Sequence, residues 1–154
     1  GTRMQYTVGQ MAKRLGVAPS TLRYYDKEGL LPFVERTDGG IRLFKESDYE
    51  WLSIIECLKQ SGLSIKEIRQ YIDLCRQGDA TIPERLELFR NRRRAVERQM
   101  AELQKTMDML DYKLWFYQTA AEAGSTEVHK GDTVEDIPQP LRETFLRAMG
   151  RGGH

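Results

Sequence analysis

From Thr81 to Glu122 the chain contains no glycine, and its one proline, Pro83, falls in the first turn, where a helix tolerates it. Thr81 and Glu84 have the spacing of a capping box, so the segment is predicted as a single helix of about 60 Å, at about 1.5 Å per residue. Along it Ile82, Leu86, Phe89, Arg93, Val96, Met100, Leu103, Met107, Leu110, Leu114, Tyr117 and Ala121 alternate in steps of four and three, and only Arg93 is polar. An apolar seam of two positions in seven, kept this long, needs a second helix against it. A chain of 154 residues, 40% hydrophobic, buries one small core and has no helix to spare. The expected partner is a second copy, with Leu86, Phe89, Val96, Met100, Leu103, Met107, Leu110, Leu114 and Tyr117 as the dimer seam. The alternative, a helix packed back on its own domain, would outrun that domain.

Ahead of this helix, two short helical patterns meet at a glycine. Thr7 and Gln10 form a capping box, and Val8, Met11, Ala12 and Leu15 recur at helical spacing until Gly16. A second helix opens at Pro19 and carries Ser20, Thr21, Leu22, Arg23, Tyr24 and Tyr25 before Gly29 ends it. Two helices so closely joined cross steeply, which lets the first hold the second in a DNA groove. Val34–Arg36, the turn Thr37-Asp38-Gly39-Gly40 and Ile41–Phe44 then read as a hairpin wing. A third helix is expected over Glu46–Gln60, with Trp51, Leu52, Ile55 and Leu58 on its apolar side. A fourth is capped by Ser64 and Glu67, with Ile65, Ile68, Ile72 and Cys75 in one stripe. The fold class is therefore mainly α: a winged helix-turn-helix with accessory helices over 4–77, a dimerisation helix over 81–122, and a flexible tail over 123–154. Leu141, Phe145, Leu146 and Met149 suggest a short helix in that tail, with a frayed Gly-rich end. Gly1-Thr2-Arg3 ahead of Met4 reads as a cloning remnant.

Charge supports local rather than bulk contact with nucleic acid. The net charge is only +1, but from Lys13 to Lys45 there are seven basic residues against four acidic ones, well placed for phosphates. Nothing resembles a signal peptide or an apolar run long enough to span a bilayer, and two cysteines make no disulfide framework, so a cytoplasmic protein is expected. No phosphate-binding glycine loop, Ser-His-Asp set or paired carboxylates mark an enzyme. An adaptor using the coiled coil alone is the competing class.

The runs YTVGQMAKRLGVAPSTLRYYDKEGLL, GGIRLF and CLKQSGLSIKEIRQYIDL resemble the MerR family of bacterial transcription regulators. That resemblance covers Tyr6 to about Phe89 and implies a homodimer joined by an antiparallel coiled coil, bound to palindromic promoter DNA. It also implies distortion of an overlong spacer so that RNA polymerase can use both promoter elements. Carried onto this chain, the DNA contacts fall on Ser20, Thr21, Arg23, Tyr24 and Tyr25 of the second helix, on Arg36 and Arg42 of the wing, and on Lys59. Short polar side chains reach base edges, while Arg and Tyr fix register on phosphates. In an adjacent Tyr pair at least one is usually core, and Arg23 has Asp26 as a rival partner. Ala18 departs from the family by standing where a capping Ser or Thr is usual.

Metal-responsive relatives place cysteines at the start of the long helix and after it. Those regions hold none here, and the only histidines are His129 and His154, so no metal or cofactor is expected. The chain is most similar to the NmlR/AdhR-like branch, which implies a response to aldehyde or thiol stress through a cysteine in helix three, Cys57 here. On a helical wheel Cys57 lies off the apolar face and Cys75 on it. One and two turns away Cys57 has Ser61 and Glu50 rather than a cation, and a small inert thiol is the plain alternative. A regulator sensing a small organic ligand at Trp115, Phe116 and Tyr117 is a further possibility, although Trp115 and Phe116 are better placed to cover the partner's domain.

Overall fold

The computed structural model describes residues 4–150; the expectations for Gly1–Arg3, the Gly-rich end and His154 lie outside them. The order is β1 (Gln5–Tyr6), α1 (Val8–Leu15), α2 (Pro19–Lys27), β2 (Glu35–Arg36), β3 (Arg42–Lys45), α3 (Glu46–Gln60), α4 (Ile65–Arg76), α5 (Ile82–Ala123) and α6 (Arg142–Gly150), with short 3-10 turns before α5 and α6. The chain divides into two compact units, one ending at Arg93 and one beginning at Arg94.

In the first unit, local signals set the helix ends. Thr7 and Gln10 cap α1 reciprocally, as do Ser64 and Glu67 at α4. Gly16 ends α1 at φ 73°, and Val17 then donates back to the Ala12 carbonyl at 3.0 Å, which turns the chain directly into α2. Ala18 gives α2 no side-chain cap; Pro19 starts it instead. The wing is narrower than expected, since Val34 and Ile41 stay outside its strands. It gains a third strand that two residues of sequence could not announce: β1 joins β3, giving the antiparallel order β1-β3-β2 with Tyr6 opposite Phe44 and Arg36 opposite Arg42. Met11, Ala12, Leu22, Tyr25, Leu30, Phe44, Leu52, Ile55 and Ile68 are buried together beneath these elements. Arg14 locks α1 to α3 through a two-pronged 2.6 Å ion pair with Glu46, its guanidinium 3.8 Å from the Tyr49 ring centre.

Thr81 does not close the expected box with Glu84. Its hydroxyl turns back to the Leu74 and Gly78 carbonyls at 2.6 and 2.8 Å and receives Arg85 Nε at 3.1 Å, tying the start of α5 to the end of α4. The start of α5 belongs to the first unit: Leu88 packs on its core, and the seam residue Phe89 meets Tyr71 edge-on at 5.3 Å. The first compact unit thus runs on into α5, to Arg93. Cys75, expected on the apolar stripe, is only half-buried, and Leu74 takes the buried place.

The second unit corrects the expectation of a flexible tail. Residues after α5 turn back, and Ile137 and Phe145 bury against Tyr112, with Trp115, Phe116 and Leu141 packed around them. Trp115 and Phe116 are thus covered by their own chain. The His129 ring lies against both, 4.8 Å from Trp115 and 4.4 Å from Phe116, and its Nδ1 is 2.8 Å from Asp132. Met100, Leu103, Met107, Leu110, Leu114 and Tyr117 remain 46–65% exposed along α5. No helix among the described residues is long and apolar enough to cross a membrane.

Candidate nucleic-acid interface

One face of α2 looks outward. Ser20, Arg23, Tyr24 and Lys27 follow the three-and-four spacing of a single helical face, and all four are exposed. Thr21 is half-buried at its margin. Lys27, absent from the sequence-based set, belongs to this face by periodicity alone. The opposite side carries Leu22 and Tyr25, both fully buried, so the face is backed by a packed core.

Tyr25 is the main correction. Its ring is buried and its hydroxyl is already engaged: it donates to Glu56 Oε1 at 2.6 Å and accepts from Lys59 Nζ at 3.2 Å. A phenol held this way is already engaged by its own chain. Burial, and then the hydrogen bond and charge of Glu56, push its pKa well above the ordinary tyrosine range, so it stays a neutral O–H donor. Lys59, expected on phosphate, is exposed yet spends its ammonium on this hydroxyl. Tyr24, next in sequence, points the other way and is 48% exposed.

The wing arginines are also partly committed. Asp26 accepts from Arg36 Nη2 at 2.6 Å and, more tightly still, from Arg42 Nη2. Burial raises the Asp26 carboxyl, but the hydrogen bond and charge of Arg42, then of Arg36, outweigh it and hold the group below the usual carboxylate range. The pairing fixes the wing to the outer helix. Arg36 keeps about half its side-chain surface in water and stays available to a phosphate, whereas Arg42 keeps only 24% and acts mainly as the pin. Asp26 was visible in sequence only as a rival partner for Arg23. Its two true partners lie 10 and 16 residues away.

Cys57 is exposed on α3, as the helical wheel implied. Cys57 stands on the same turn as Glu56 and Lys59, which bond Tyr25, but helical spacing puts its side chain on a different face from theirs. The half-buried Cys75 has a guanidinium near it, Arg85 Nη1 at 3.9 Å. Among the described residues no group of three His, Cys, Asp or Glu is placed to hold a metal ion.

Comparison with known proteins agrees with this geometry. The family model described as MerR HTH family regulatory protein matches residues 6–75, and a second, MerR, DNA binding, matches residues 49–112. An uncharacterized HTH-type transcriptional regulator of Haemophilus influenzae is 47% identical over 136 residues, 88% of this chain and 98% of that protein. AdhR of Bacillus subtilis is 38% identical over 89 residues, 58% of this chain and 64% of its own. Among solved structures, HiNmlR, described as a MerR family regulator lacking the sensor domain and bound to promoter DNA, matches with a TM-score of 0.63 and 46% identity over 81% of this chain and 99% of that one. The chain belongs to the MerR family and is a DNA-binding transcriptional regulator.

Proposed function

We propose that this regulator works as a homodimer on a palindromic promoter element, with Ser20, Thr21, Arg23 and Tyr24 of α2 in the major groove and Arg36 of the wing and Lys27 on flanking phosphates. The observation that carries this reading is the exposed polar face of α2, braced from behind by Tyr25 and from the side by the Asp26–wing clamp. A rigid reading helix loses little freedom on binding, which favours specific contact. HiNmlR, similar over nearly its full length, has been solved on promoter DNA, which supports the same mode here. The apolar stripe from Met100 to Tyr117 supports antiparallel pairing of two α5 helices, since six large side chains left in water on one seam favour association. Two half-sites held at a fixed separation would then let the dimer distort the spacer for RNA polymerase. Such a regulator works where the chromosome is, in the cytoplasm.

The same reading gates the dimer through Cys57. Addition of its thiol across an aldehyde C=O forms a C–S bond and sends the thiol proton to the carbonyl oxygen, adding bulk to the α3 turn that carries Glu56 and Lys59. Exposure of the thiol and its place on the helical turn that holds Tyr25 support this route.

Mobility-shift titration of the wild type on a symmetric promoter duplex and on a duplex with one half-site scrambled tests DNA recognition. Equal affinity for both refutes palindrome reading. Transcription with and without formaldehyde, in wild type and Cys57→Ser, tests the gate. Induction that survives the substitution removes Cys57.

A further inference from the structure

We propose that a cavity between α5 and α6 of the second unit binds a small organic anion, a carboxylate on a short apolar body. The cavity measures about 160 Å³ and is lined by Lys105, Met109, Thr144, Arg147 and Ala148. Lys105 and Met109 lie one turn apart on α5, and Thr144, Arg147 and Ala148 are spaced by three and four on α6, so each helix offers a single face. A cavity of about 150 Å³ accepts benzene, so the occupant here has about six non-hydrogen atoms.

The lining is mixed, with more apolar than polar surface. Met109 and Ala148 supply an apolar wall, while Lys105, Arg147 and the hydroxyl of the buried Thr144 supply donors. Arg147 is held loosely by its own chain: Nη2 is 3.4 Å from Thr144 Oγ1 and 3.6 Å from Asp108 Oδ2, and Nε is shielded from water with no acceptor. Ordinary hydrogen bonds to a guanidinium run about 2.7–3.2 Å, so a ligand carboxylate at the fork replaces weak contacts with strong ones. Lys105 pairs with Glu102 at 3.3 Å on a face largely open to water, an interaction easily exchanged for a nearer anion. Inorganic phosphate would match the two cations but leave Met109 and Ala148 facing a strongly hydrated, largely dianionic surface, which disfavours it. The α6 side of the cavity lies beyond residue 112, past the residues matched by either family model.

The test is calorimetric titration of the full chain, free of DNA, with butyrate, 1-butanol and inorganic phosphate at matched ionic strength. Saturable one-site binding of butyrate is expected, with no binding of 1-butanol and weaker binding of phosphate. Arg147→Gln should weaken butyrate at least tenfold, as loss of a charged hydrogen bond does, and Ala148→Leu should abolish binding by filling the space while keeping both cations. Thermal melts of both variants check that α6 stays folded. Absence of saturation up to roughly 10 mM butyrate overturns the proposal, as does equal binding to Arg147→Gln or to 1-butanol. Tighter phosphate than butyrate overturns the ligand class.

Discussion

Replacing Tyr25 with Phe removes one oxygen and leaves the buried ring in place. The lost hydroxyl leaves Glu56 without its 2.6 Å donor and Lys59 without its 3.2 Å acceptor. A hydrogen bond to a charged group contributes about 1.5–3 kcal/mol, and because Glu56 is half-exposed and water can replace the phenol, the lower end, about 1.5 kcal/mol, is expected. For a unit that ends at Arg93, this lowers Tm by roughly 6–12 °C. The melt is followed by far-ultraviolet circular dichroism at one fixed protein concentration, because association alters apparent stability. DNA binding is measured alongside, as the slope of log affinity against log salt. Tyr25→Phe should leave that slope unchanged, since the residue neutralises no phosphate. Arg23→Ala, on the exposed face, should reduce the slope by up to about one if Arg23 meets a phosphate, with Tm almost unmoved. A Tyr25→Phe protein as stable as wild type, or one with a smaller salt slope, would refute the assignment of Tyr25 to the core.

Other consequences are open to direct measurement. The folded-state Asp26 carboxyl lies below its unfolded value, so its contribution to stability is whole above the ordinary Asp range and fades as pH falls through the folded value. Urea midpoints should therefore drop below about pH 4 more steeply in wild type than in Asp26→Asn, and identical profiles would rule out the clamp. Leu110→Asp puts a charge on the 46%-exposed stripe and should yield monomers in sedimentation with an unchanged helical spectrum; a persistent dimer would place the seam elsewhere. Phe145→Ala empties the core shared with Tyr112 and Ile137 and should destabilise the second unit by about 3–5 kcal/mol, with a red shift of Trp115 emission. An unshifted spectrum would mean that the tail does not cover Trp115.

The parts of the fold legible in sequence were those whose causes are local. Thr7 with Gln10 and Ser64 with Glu67 cap their own helices, and Gly16 turns its own backbone, so α1, α2 and α4 could be bounded from neighbouring residues alone. Thr81 shows the limit, because the same spacing recurs there while its hydroxyl is drawn to carbonyls of the preceding helix. Both Tyr24 and Tyr25 were expected on DNA, with only the general rule that one of such a pair is usually core; which one is buried depends on Glu56 and Lys59, more than 30 residues away. The tail misled for a related reason. Its turns carry no 3.6-residue period, and its burial comes from Ile137 and Phe145 meeting an aromatic patch on α5.

Adjacent positions 25 and 26 give α2 two anchors of opposite kind. Tyr25 ties it to α3 through a neutral phenol between Glu56 and Lys59, and Asp26 ties it to the wing through two guanidinium groups. Under the proposed thiol gate, a displacement of the α3 turn would carry the helix and the wing together, as one reading head. Regulation requires about 1–3 kcal/mol of coupling between sites, and breaking the Glu56–Tyr25 bond supplies about that much. Under the proposed thiol gate, an adduct on Cys57 acts by straining this bond. Tyr25→Phe should then flatten the response to formaldehyde while promoter binding without inducer persists. A full response in that variant would mean that the signal leaves α3 by another path, even if Cys57 itself proves essential.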